Sequence, residues 1–424
     1  MNRCSFRSKK AIVAICSLVY FVSYFSRKDF AAVMAGMISD NVINKSDGGL
    51  IGMGLFVCYG IGQLISGFLG DKIKPQIMIL TGLSVTMLCN LAMPYSVGST
   101  LLMTVLWSIN GLAQAMLWPP IVRILADSLR GEAFVRANMI VTNAAHVSTV
   151  LLYVYVPLCL TAFDWRTVFF TASAMSALAI VVFSVSMHLI LRDEDLKTNK
   201  PDIPTPVSQK VSKNSDGYLS IILKSGLLPL CLAIITMGFL RDGIESWLPT
   251  LYGEAFGRDA SESILFSAIL PIFSIISIVV ITQLHKTALF KNESLGALIL
   301  FASAVAASTA LAFLIESKGV LARIVCLILS SVITAFMHAV NFLLISCLPG
   351  RFSHMGRAAT TSGICNACTY VGAAVSMYGI SAIAESRGWT VTVISWIAVA
   401  SLGAILSLIA VRSYTRFINK GSVE

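Results

Sequence analysis

The chain has 424 residues, of which 56% are hydrophobic and 12% charged, with a mean hydropathy of +0.82. Soluble domains carry about a quarter charged residues, so the composition excludes an ordinary soluble fold and points to a chain that crosses a membrane many times. The formal charge of +10 calls for no nucleic acid, because basic loops beside anionic lipid account for it.

The opening stretch MNRCSFRSKK leads into an apolar run that imitates a secretory signal. The run continues to about Met37 without a small-residue cleavage site, and many similar segments follow, so it reads as a retained first helix. A spanning helix needs roughly 20 mostly apolar residues. Twelve segments qualify: 11–38, 50–70, 76–94, 101–128, 134–160 and 167–191, then 219–252, 263–284, 295–315, 320–348, 357–384 and 390–412. Between the two sets Arg192–Gly217, rich in charge, proline and serine and without apolar periodicity, reads as a solvated linker. The expected organisation is a six-helix bundle over 1–191, a cytoplasmic linker over 192–218 and a second six-helix bundle over 219–424.

Along this path 21 of the 31 lysines and arginines fall in loops on the side of the N-terminus, five on the opposite side, and five inside spans. The positive-inside bias therefore expects both termini in the cytoplasm. Short loops and the lack of a targeting extension favour a bacterial cytoplasmic membrane. The ten cysteines are scattered through apolar segments, and Cys365 and Cys368 have no histidine or second pair beside them. They read as packing residues, with no disulfide framework, metal or other cofactor expected.

Six spans, a linker and six more is the architecture of transporters built from two related bundles around a midplane site. The loop GFLGDKIKPQ (Gly67–Gln76) resembles the short signature of the major facilitator superfamily, with Asp71, Lys72 and Lys74 as its charge cluster. The matching loop of the second half, Ile281–Lys291, is degenerate. YFSRKDFAAVM in span 1, WPPIVR in span 4, NAAHV in span 5, DWRTVFF in span 6, FLRDGIESWLPTLY in span 7 and TSGICNACTYVGAAV in span 11 extend the likeness. Together they resemble the organophosphate:phosphate antiporter branch of that superfamily. The resemblance implies an all-α polytopic membrane protein of twelve helices in two bundles around a central cavity. It also implies a secondary transporter of a small phosphorylated organic anion, glycerol phosphate or a sugar phosphate, exchanged for inorganic phosphate. A sugar-phosphate sensor of the same fold is the alternative, and a proton-coupled organic-anion facilitator another.

The five basic residues inside spans are Arg27, Lys28, Arg123, Arg241 and Arg323. A charge at mid-bilayer costs at least about 2.5–3.5 kcal/mol, so it faces a cavity or a partner and marks a substrate path. Helical spacing places Tyr20, Tyr24 and Arg27 on one stripe, two phenol hydroxyls beside a guanidinium. Lys28 lies about 100° round, as a second donor or the partner of Asp29. Arg27 is an anion ligand on this reading, or else half of an interhelical ion pair. Arg241 is its counterpart, because spans 1 and 7 open their respective halves and a two-fold relation brings both arginines to one cavity. Two guanidinium forks grip a phosphate bidentately, as lysine does not. Glu245, four residues after Arg241, would neutralise it within the helix on the opposing reading. In the branch resembled, the arginines matching Arg27 and Arg241 bind the phosphate, and a histidine matching His146 serves substrate binding and its pH response.

His146 shares a stripe with Asn143 and Tyr153, while His338 with Asn341 in span 10 is a weaker candidate. Pro119 and Pro120 should bend span 4, leaving Arg123 and Asp127 as a gate or a structural ion pair. Gln63 stands where many members of the branch carry a span 2 lysine, which leaves the headgroup open. No phosphate-binding glycine loop, metal-ligand cluster or Ser/His/Asp set suggests an enzyme. The expected partners are the phosphorylated anion, inorganic phosphate and the bilayer, with the chain a monomer.

Overall fold

The computed structural model describes residues 6–69, 72–195, 225–287, 289–317, 319–355 and 357–421. The described residues are helical throughout, without strands. Eleven of the helices are long and apolar enough to cross a membrane. The last of these, Ala358–Gly421, is two spans run together. It is broken at Gly388, whose φ of 79° and ψ of 178° no helix accommodates, so 358–387 and 389–421 supply spans 11 and 12.

Spans 1 to 3 are Phe6–Ser39, Lys45–Leu69 and Pro75–Ala92. Span 4 is made of Thr100–Ala115 and Trp118–Ser128, with Pro119 and Pro120 in the first turn of the second piece. The expected bend is therefore a full break at Met116–Leu117, where the missing proline N–H groups would have left the ladder open. Spans 5 and 6 are Glu132–Ala162 and Arg166–Asp195. Span 7, expected from residue 219, begins at Leu227 and ends at Phe256. Gly226 precedes it at φ 76°, outside helical geometry, and 219–224 of the expected span lie outside the described residues. Span 8 is again two pieces, Ala260–Ser267 and Ile269–Leu284. Spans 9 and 10 are Glu293–Leu314 and Val320–Asn341, the latter running into a π-helical turn at Phe342–Cys347. The linker's first residues, 192–195, continue span 6; 196–218 lie outside the described residues.

Helices of the first half pack chiefly as spans 1 on 5 and 6, 2 on 4, and 3 on 6; those of the second as 7 on 11, 9 on 10 and 12, and 8 on 10. The halves meet along two seams, span 2 with span 11 and span 5 with span 8. The first seam opens progressively. A methyl group on Gly52 would lie 2.1 Å from Met377 Cε, and one on Gly60 3.2 Å from Tyr370 Cβ, whereas one on Gly67 would meet nothing within 4 Å. The halves are thus closest at the ends away from the termini. There Lys45 pairs with Glu254 of span 7 at 2.8 Å, and Glu385 at the end of span 11 accepts the Ser46 N–H at 3.1 Å and the Ser46 hydroxyl. Ser46 lies in the first turn of span 2, so Glu385 caps that helix from the opposite half. An open vestibule of ≈ 560 Å³ lined by Asn41, Asn44, Asp47, Glu254 and Glu385 lies over this contact.

Within the second half, spans 7 and 11 touch backbone to backbone. A methyl group on Gly372 would lie 2.0 Å from the Ile235 carbonyl oxygen. Replacing Gly372 with valine should therefore force the two helices apart and lower the unfolding free energy by about 1–3 kcal/mol, read as a fall in the melting temperature of the detergent-solubilised protein.

Candidate functional site

Burial of cations dictates what the middle of the molecule must contain, because each one taken from water needs a counter-charge or an electron-rich face. Arg27 finds the second. Its guanidinium carbon lies 4.0 Å from the centre of the Tyr24 ring and 5.0 Å from that of Tyr59. Tyr59 packs on Tyr370 of span 11 at 4.4 Å, and Tyr24 meets Tyr20 edge-on at 5.0 Å, with Tyr20 leaning on Trp118 at 4.7 Å. Tyr20, Tyr24 and Arg27 follow one another along the stripe that helical spacing gives, but Tyr24 offers the guanidinium its ring face rather than its hydroxyl, and Tyr20 packs behind it. Arg27 has no carboxylate partner among the described residues, and its buried Nε has no hydrogen-bond partner.

Lys28 finds the first. Its ammonium lies 3.0 Å from Glu245 Oε2 and 3.8 Å from Asp242 Oδ1, both on span 7. This corrects the expected alternative of a Lys28–Asp29 pair. Lys28 reaches across the interface, while Asp29 lies fully buried about 200° round span 1 from Arg27, its Oδ1 accepting from the Phe30 N–H at 2.7 Å and its Oδ2 without a partner.

Arg241 stands one residue from Asp242 and donates to its Oδ2 at 2.6 Å and to Asn341 Oδ1 of span 10 at 2.8 Å. Glu245, the neutralising group expected for Arg241, is engaged elsewhere. One oxygen takes Lys28, and the other contacts His338 Nε2 at 2.7 Å. His338 in turn packs edge-on against His146 of span 5, 5.6 Å between ring centres. Tyr153, two turns after His146, donates its hydroxyl to the Glu245 carbonyl at 3.0 Å. Arg27, Lys28, Asp242, Arg241, Glu245, His338 and His146 therefore form one cross-half constellation.

Toward the vestibule, Phe30, Trp107 and Met377 close the space beside Arg27 and Lys28 to a cavity of ≈ 20 Å³, room for about one water. On the other side span 2 and span 11 diverge. The remaining expected residues lie off this centre. Gln63 donates to the Ala115 carbonyl at 3.3 Å, at the break in span 4. Asn143 is half-buried one turn before His146. Lys72 is exposed, and Asp71 lies outside the described residues. Arg123 is exposed and donates to the Ile73 carbonyl at 3.5 Å, tying span 4 to the loop after span 2, and Asp127 is exposed one turn on. Tyr59 and Tyr370 are missed from sequence, where Asp242 stands only as one of the four acids inside spans. The available signal was a hydroxylated ring or an acid in a mid-span position, where a buried polar group needs a partner.

The interdependence of these charges has a measurable cost. Lys28→Met leaves Glu245 and Asp242 buried with one cation fewer, and should destabilise the protein by about 3–5 kcal/mol. Adding Glu245→Gln should recover a large part of that loss, so the thermal unfolding of the two single variants and the double variant should be strongly non-additive.

Residues 16–377 match the Major Facilitator Superfamily. The glycerol-3-phosphate transporter of Bacillus subtilis is 26% identical over 260 residues, 57% of the chain and 56% of that protein. A probable hexose phosphate transport protein of Chlamydia muridarum is 38% identical over 107 residues, 25% of the chain and 23% of that protein. The chain thus aligns with about half of the first relative and a quarter of the second. The membrane sensor protein UhpC of Salmonella typhimurium is 21% identical over 401 residues, 90% of the chain and 87% of that protein. Among solved structures, a bacterial homolog of the human lysosomal transporter Spinster, in an inward-facing and occupied conformation, superposes with a TM-score of 0.71 at 13% identity, over 98% of the chain and 99% of that protein. The helical architecture, the two interlocking halves and the match over residues 16–377 establish that the chain belongs to the Major Facilitator Superfamily.

Proposed function

We propose that the protein is a secondary transporter of a small phosphorylated organic anion, glycerol phosphate or a sugar phosphate, in exchange for inorganic phosphate. The observation that carries this reading is Arg27, a buried guanidinium with an unpartnered Nε, held by aromatic faces and lacking a carboxylate of its own. A phosphate offers two acceptor oxygens spaced to meet the fork of a planar guanidinium, the partner that such a group lacks. Lys28 and Arg241, linked through Asp242, bring further donors to the same place. The phosphate-carrying substrates named for the relatives agree with this chemistry.

In this reading Arg27 and Arg241 are the phosphate ligands, Lys28 and His146 assist, and Tyr20, Tyr24, Asn143 and Gln63 line the path. Asp71, Lys72, Arg123, Asp127 and Glu245 hold or gate the two bundles, 1–191 and 219–424, which rock about the fixed site. Occluding an unneutralised cation in low dielectric is costly, so the carrier closes readily only when loaded, and exchange follows. In this reading both termini lie in the cytoplasm, which the positive-inside bias supports, and the protein is a monomer in the cell membrane.

Proteoliposomes loaded with inorganic phosphate should take up labelled glycerol phosphate or hexose phosphate from outside, and should not do so when loaded with chloride. Arg27→Gln and Arg241→Gln should each weaken half-saturation by roughly ten- to a hundredfold, the worth of one or more hydrogen bonds to a charged group. Uptake into chloride-loaded vesicles at the exchange rate would remove obligatory exchange, and no uptake by the purified protein would leave the sensor reading instead.

A further inference from the structure

A site that takes a phosphate would need cations only, yet two carboxylates are built into this one. Asp242 touches both Arg241 at 2.6 Å and Lys28 at 3.8 Å, and Glu245 touches Lys28 at 3.0 Å and His338 at 2.7 Å. Among the described residues, the basic and acidic side chains that meet at the centre are thus Arg27, Lys28 and Arg241 with Asp242 and Glu245. The other ionisable groups there are the phenols Tyr20, Tyr24, Tyr59, Tyr153 and Tyr370 and the imidazoles His146 and His338. Asp29 lies about 200° round span 1 from Arg27 and accepts from the Phe30 N–H.

While the imidazoles are neutral, one positive charge is left over, and it is that of Arg27. A phosphate monoester carries one negative charge below its second ionisation near pH 6 and two above it. The singly charged form cancels the surplus; the doubly charged form reverses its sign. A closed, low-dielectric centre tolerates the cancelled state and penalises either residue of charge. We propose that Asp242 and Glu245 set the ionic form that the carrier accepts, restricting it to the singly charged phosphate ester. The inference rests on the reading of Arg27 as a phosphate ligand, and it gives the two acids a role in specificity, beyond holding the halves together.

The test uses full-length protein in proteoliposomes loaded with inorganic phosphate. External substrates are a phosphate monoester, its methylene phosphonate and its difluoromethylene phosphonate, whose second ionisations fall at different pH. At subsaturating total concentration, the rate for the ester should fall roughly fiftyfold from pH 6 to pH 8, following the singly charged fraction. The fall should come earlier for the difluoro analogue and later for the methylene analogue. Asp242→Asn and Glu245→Gln, each adding one positive charge, should flatten or reverse the fall; the wild-type analogue series decides the matter even if a variant folds poorly. One common pH profile for all three analogues would assign the titration to an imidazole of the protein and overturn the proposal, as would a rate that follows the doubly charged form. Absence of exchange with any phosphorylated compound at any pH would overturn the phosphate reading itself, and this inference with it.

Discussion

The centre of the molecule is governed by one constraint, that charge withdrawn from water must be answered locally. Span 1 brings two adjacent cations into the interior, and the protein answers them differently. Lys28 receives carboxylates from the opposite half, at 3.0 and 3.8 Å, whereas Arg27 receives the faces of Tyr24 and Tyr59. A cation over a ring gains about 0.5–2 kcal/mol, less than a well-made buried ion pair. Arg27 is therefore the cation left with the most to gain from a soluble anion. The neighbouring pair does the reverse, because its partners already belong to the chain and join the halves.

How the rest of the fold serves this centre follows from the same accounting. The π-helical turn at Phe342–Cys347 follows Asn341 directly, and Asn341 is the residue that accepts from Arg241. Such turns often occur at functional sites, where they re-aim the side chains beside them. Further along, the fully buried Glu293 at the start of span 9 is held by Arg351 at 2.9 Å and by the Tyr414 hydroxyl at 3.0 Å. That clamp ties spans 9, 10 and 12 at the terminal side of the second half, where the loop sequence itself carries no recognisable signature.

Much of the fold was legible because hydropathy is a local property. Each apolar run of sufficient length is a helix here, and the errors fall where a single backbone position intervenes. Gly226 leaves helical geometry within the run expected as span 7, and the Pro119–Pro120 pair turns an expected bend into a break. The site was legible only by halves. Tyr20, Tyr24 and Arg27 lie on one helix, so a period of 3.6 residues sufficed to group them. The partnership of Lys28 with Glu245 joins residues 217 positions apart; nothing local distinguishes it from a pairing with Asp29 next door. Nothing in the sequence sets Tyr59 and Tyr370 apart, because an aromatic ring in an apolar run is ordinarily a packing residue.

The tapering seam between spans 2 and 11 has a mechanical corollary. The helices touch at Gly52 and Met377, are still in contact at Gly60 and Tyr370, and have parted by Gly67. Any swing that drew their far ends together would turn about a fulcrum near Tyr59 and Tyr370, the first of which offers its ring to Arg27. A lever so arranged moves its tips widely while its pivot hardly shifts, so the surroundings of the guanidinium would change least of any along the seam.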